Sequence, residues 1–134
     1  MWRRIASGRA ELDEAALALP VLLLVSLALV NLALLGFAAV NAGNAAEYGA
    51  RLGSVALADQ AGAAYAAALA KVNAVQVGSY TVSVSGGGQP GSRIEVAVTY
   101  RVPNYFGGLA RMFGVTMPSY FQGTARAYFR REGW

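Results

Sequence analysis

The side chains that most often do chemistry are either missing from this chain or scattered along it. There is no histidine and no cysteine, which removes the commonest general base, the commonest zinc ligand and every thiolate nucleophile or disulfide. The carboxylates fall into two sets: Glu11, Asp13 and Glu14 crowd beside Arg9 near the N-terminus, whereas Glu47, Asp59, Glu95 and Glu132 lie on separate segments. Acid–base work needs two titratable groups within reach of one substrate, and the scattered four would have to converge through folding. The glycine run Gly86, Gly87, Gly88 and Gly91 lacks the lysine followed by Ser/Thr and the ensuing helix of a phosphate loop, so it reads as a hairpin turn. Tyr100, Tyr105, Phe106, Tyr120, Phe121, Tyr128 and Phe129, interleaved with arginines, have the ring faces that stack on bases. Core and subunit contacts are nevertheless the expectation for them, with no specific nucleic acid as partner. The chain reads as a non-enzyme without cofactor or metal.

The informative acid is Glu14, because a long uncharged stretch begins directly after it. Residues 15–40 carry no formal charge, and Leu17, Leu19, Val21 to Val25, Leu27, Leu29, Val30, Leu32, Leu34, Leu35 and Phe37 leave no polar stripe. At about 1.5 Å per residue such a helix is on the order of 39 Å long, more than a hydrocarbon core of roughly 30 Å requires. A cleaved signal peptide is the competing reading, with Arg3 and Arg4 as its basic region and Val40, Ala42, Ala45 and Ala46 as small residues for cleavage. The usual apolar region of about 7 to 15 residues is much shorter, which favours retention. Arg3, Arg4 and Arg9 place the N-terminus in the cytoplasm and everything after Val40 outside. Pro20 is the expected kink. Of the two polar residues inside the run, Ser26 can bond its own backbone, which leaves Asn31 as the one to test as an inter-subunit contact.

Past the apolar run the helical pattern continues in alanine and glycine, so residues 12–72 read as one long helix with bending points at Gly36, Gly43, Gly49, Gly53 and Gly62. Gly49 and Gly53 form a small-xxx-small pair suited to helix packing. From Tyr80 the period changes to two: Tyr80, Val82 and Val84, then, after the glycine turn, Ile94, Val96, Val98, Tyr100 and Val102. Pro103 stops this hairpin, one helical turn is expected near 109–113, and residues 120–131 form a third strand. The expected fold is α+β, a long N-terminal helix followed by a small antiparallel three-stranded sheet packed on the helix's C-terminal half. Leu52, Val55, Leu57, Tyr65 and Leu69 are the expected cover. The divisions are a charged leader-like segment 1–14, a transmembrane or filament-core helix 15–40, an Ala-rich continuation 41–76 and an extracellular head 77–134. The net charge of +4 lies wholly after the apolar run, concentrated at Arg126, Arg130 and Arg131, and reads as a solvated surface.

The run from Gly8 through Glu14 to Pro20, leading into a leucine-rich helix, resembles the start of TadE-like pilins, of the tight-adherence branch of type IV pili. That family has a glycine, a short linker, a glutamate and a proline six residues on, the spacing of Glu14 and Pro20. The stretch 45–53 is similar to the family's segment beyond the membrane. One departure is specific: Arg9 stands where the family's peptidase-recognised glycine is found, and Gly8 lies one residue further back. The resemblance implies a subunit waiting in the bacterial cytoplasmic membrane, then extracted by pilus machinery into an extracellular helical filament of itself or related pilins. Gly8 becomes the candidate leader cleavage position and a prepilin peptidase a candidate partner. Glu14 would set register against a neighbour's terminal amine, or against Arg3, Arg4 or Arg9 in an uncut chain. Ala33, Gly36, Ala38 and Ala39 would let helices approach closely. Two other classes remain: a single-pass membrane protein with a small binding head that does not polymerise, and, last, a membrane-bound enzyme.

Overall fold

The structure, a computed structural model, describes residues 2–131, with only the backbone for 2–7, 9 and 10. Its elements in order are α1 (Trp2–Val55), α2 (Gln60–Asn73), β1 (Ser79–Gly86), β2 (Arg93–Pro103), α3 (Gly107–Met112) and β3 (Tyr120–Arg130). The three strands form one antiparallel sheet in the order β1-β2-β3. This is the expected α+β plan, with the sheet packed on α1.

The strands follow from alternation. Pairing of Val82 with Val98, Val84 with Val96, Val96 with Ala127 and Val98 with Ala125 puts the apolar residues of all three on one face. Ile94, Val96, Val98 and Val102 are fully buried there. The opposite face carries Thr81, Ser83, Glu95, Thr99, Arg101, Thr124 and Arg126, tied by a Thr99–Thr124 hydroxyl contact of 3.0 Å and an Arg126–Glu95 ion pair of 2.9 Å.

The cover over the apolar face differs from the expected one in two ways. Residues 12–72 are not one helix: the chain turns at 56–59 and α2 comes back along α1. The turn centres on Asp59, in the left-handed region at φ 47°, whose carboxylate accepts the Gly62 N–H at 3.1 Å and caps α2. Helix α1 runs unbroken through Gly36, Gly43, Gly49 and Gly53, and Gly62 lies in the first turn of α2. The second correction concerns which residues cover the sheet. Leu52, Val55, Leu57 and Tyr65 are exposed, and only Leu69 packs on the core. The covering residues are Ala42, Ala45, Ala46 and Ala50 of α1 with Ala64, Ala68 and Val72 of α2. Two helices lying side by side on one small sheet need a thin seam, and alanine at spacings of three and four supplies it.

Gly49 and Gly53 complete that seam. A Cβ on Gly49 would sit 2.7 Å from the Ala64 carbonyl oxygen and 2.8 Å from the Ala68 Cβ, and one on Gly53 2.7 Å from the Ala64 Cβ. The close approach they permit is therefore within the chain, between α1 and α2, and not between subunits.

One polar group in this layer is unsatisfied. The Tyr80 hydroxyl is buried without a hydrogen-bond partner among the described residues, and burial pushes its pKa above the usual tyrosine value. Tyr80→Phe is expected to be neutral to about 1 kcal/mol stabilising at pH 7, since only an unpaired hydroxyl is lost. A phenol in the unfolded chain ionises near pH 10, before the folded one. Its contribution is therefore intact below about pH 10 and is lost as pH rises through the folded value. Urea midpoints measured between about pH 8 and about pH 11 should fall less steeply for Tyr80→Phe than for the parent.

Candidate functional site

Two faces dominate the molecule's exposed chemistry, the bare part of α1 and the rim where the head meets it. The stretch Glu11–Val55 is long and apolar enough to cross a membrane, and only 11 % of its most apolar window is buried within the chain. A helix from a soluble core would be covered. Here Leu12, Leu17, Leu19, Leu22, Leu29 and Leu32 each expose more than half of their surface.

Glu14 lies on this uncovered part, exposed, and makes no ion pair with any described side chain. The side chains of Arg3, Arg4 and Arg9, its expected partners, lie outside the described residues. Gly8 is on α1, with open space around its Cβ direction. Helix α1 continues through Pro20, whose ring denies the Ala16 carbonyl its usual donor four residues on. Ala33 and Gly36 are exposed, with nothing within 4 Å of a Cβ built on Gly36. Ala38, by contrast, is fully buried under the head, so it is not available to a neighbouring helix.

Asn31 departs most from its expected role. It is only 2 % exposed, and both ends of its amide are used inside the chain. The Asn31 Nδ2 donates to the Pro103 carbonyl at 2.8 Å, and the Tyr105 N–H donates to Asn31 Oδ1 at 2.7 Å. It clamps the end of β2 to α1 and is not an inter-subunit contact. Beside it Phe106 and Phe121, stacked at 6.4 Å, line a recess with Ala28, Leu32 and Leu35. A polar residue inside an apolar run signals a partner, but nothing in the pattern tells a strand end of the same chain from a second subunit. Asn31→Leu keeps the side chain's branching and strands a carbonyl and an N–H, each costing about 1–3 kcal/mol when unpaired. Denaturant unfolding in micelles should show a loss of about 2 kcal/mol or more, with faster amide exchange at Tyr105.

Among the described residues the remaining sequence candidates do not converge. Glycines 86 to 91 form the β1–β2 connection, with Gly86, Gly87, Gly88 and Gly91 all at positive φ. This turn is closed by Gly87 N–H to the Arg93 carbonyl and Gly91 N–H to the Arg131 carbonyl. On the sheet's outer face arginines lie over tyrosine rings, Arg93 over Tyr128 at 3.9 Å and Arg101 over Tyr120 at 4.9 Å. Among the described residues no three of His, Cys, Asp and Glu come together in a way that would hold a metal. Comparison with protein-family models, curated proteins and solved structures finds no match for this chain.

Proposed function

We propose that this chain is a structural subunit of a type IV-like pilus of the tight-adherence kind. It is held in the cytoplasmic membrane by α1 and assembled with copies of itself or related pilins into a surface filament for adhesion or motility. The observation that carries this reading is the division of α1: its C-terminal half is the floor of the head, while the uncharged residues 15–30 leave no polar stripe and are mostly uncovered by the described residues. Such a rod has two suitable surroundings, lipid and a bundle of like rods.

Moving from one to the other has little hydrophobic driving force, because lipid tails and leucines are similarly apolar, so packing and polar contacts must decide. Ala33 and Gly36, exposed and small, permit close contact. Glu14 supplies register: an unpaired carboxylate in an apolar bundle costs several kcal/mol, which penalises a subunit docked out of step. Retention of α1 is supported by the core itself, since Ala42, Ala45 and Ala46, the small residues of a signal-peptide cleavage site, are fully buried under the sheet.

Electron microscopy of material sheared from expressing cells, with mass spectrometry of the N-terminus, tests the reading. Filaments containing the chain are expected, and the mass shows whether Gly8 is a cleavage position. Recovery solely as a detergent-extracted monomer, with no high-mass sheared fraction, selects the non-polymerising single-pass protein instead.

A further inference from the structure

We infer that residues 104–119 form a foot by which the head rests on the outer surface of the bilayer, within the headgroup and upper acyl region. The inference rests on α1 being the membrane span and adds a second point of contact.

Its first ground is position. The β1–β2 turn lies near the start of α2, with the Cβ direction of Gly87 3.8 Å from the Gln60 Cβ, while β2 ends at Pro103 on Asn31 of α1. Strand β2 thus runs from the hairpin end of the head toward the bare part of α1, and the 104–119 excursion is the next connection in the chain. Its neck is fixed: Asn104 Nδ2 donates to the Pro118 carbonyl at 2.8 Å and the Asn104 N–H to the Ser119 carbonyl at 3.0 Å. Phe106 reaches α1 at the level of Ala28 and Leu32.

The second ground is length. Below Asn31, the uncharged residues 15–30 make about 24 Å of helix at about 1.5 Å per residue, a little less than a hydrocarbon core of roughly 30 Å. The clamp therefore falls in the upper acyl layer, which brings the excursion beside it to the boundary between acyl chains and headgroups.

The third is chemistry. The excursion exposes Tyr105 at 57 %, Met112 at 80 %, Phe113 at 53 % and Val115 at 50 %, with Arg111 among them. Aromatic and apolar groups mixed with a long basic side chain suit the boundary between acyl chains and water. Phe106 of the same excursion shares a recess with Ala28 and Leu32 of the rod, beside which Leu29 is 61 % exposed. A lipid surface is the partner that fits both stretches at once.

Because the chain has no cysteine, single substitutions place one fluorescent label each. Met112→Cys, Gln89→Cys at the far turn and Leu22→Cys in the bare helix, all in the full chain, would carry bimane in phosphatidylcholine–phosphatidylglycerol vesicles. A nitroxide near the headgroups should quench the label at position 112 several-fold more than that at 89, and aqueous iodide should quench it several-fold less. The label at 22 should respond to nitroxides deep in the bilayer. If position 112 behaves like 89 while 22 is in lipid, the foot is wrong and the span stands. Shielding of 112 from iodide and lipid nitroxide alike would mean a protein neighbour covers it, which also overturns the foot. Exposure of 22 to iodide would remove the span and the foot with it.

Discussion

Glu14→Gln should cut the sheared filament fraction at least tenfold, the equivalent of about 1.4 kcal/mol per docking step, while leaving helicity and head stability unchanged. The separation is expected because Glu14 lies far along the bare part of α1, exposed and outside the core. Folding makes no use of it. In a bundle of apolar rods a carboxylate demands a cation, and a subunit shifted by one turn cannot supply it. A neutral amide makes no such demand, so shifted and correct docking differ less in free energy. Quantifying the chain in sheared and membrane fractions by immunoblot, with circular dichroism as the folding control, measures the effect. Undiminished filaments from Glu14→Gln would end the register mechanism.

Gly53→Leu should open the helical hairpin, at a cost of about 3 kcal/mol. The first carbon of the new side chain would stand 2.7 Å from the Ala64 Cβ and 2.9 Å from the Gln60 carbonyl oxygen. Neither neighbour can move without carrying α2, since one is a side-chain stub and the other is backbone. Gly36→Leu is the matched control, with open space where Gly53 has α2. It should leave head stability unaltered, or slightly raised through better helix propensity. Urea titration in micelles should separate the two variants, and limited proteolysis at 56–59 should increase for Gly53→Leu alone.

Much of the head is readable in the sequence because strands buried on one face must alternate. Ile94, Val96 and Val98 announce their strand directly, and Pro103 marks its end. The cover is not readable in the same way. Size suggests Leu52, Val55 and Leu57 as core, yet a seam shared by two helices selects for thinness, and alanine, the best helix former, carries no signature of burial. The turn at Asp59 is hidden for a related reason: alanine-rich sequence lies on both sides, with no proline at the break. Only the aspartate, able to cap a helix, and the Gly49–Gly53 pair point to it. Asn31 is conspicuous, but a partner lying 72 residues away along the chain leaves no trace in local spacing. For Glu14 position and chemical type are plain from the sequence alone. Under the proposed function the cation it would meet is set by assembly, which one chain's folding does not encode.

The rod and the floor of the head are a single unbroken helix, with no swivel between them. Any rotation of a subunit about its long axis therefore turns its β-sheet by the same angle, and a pull on one end is felt at the other without slack. In a filament, the azimuth of every arginine-bearing outer face would be dictated by how the buried rods mesh, so the pattern displayed to the surroundings would be written at the centre of the fibre.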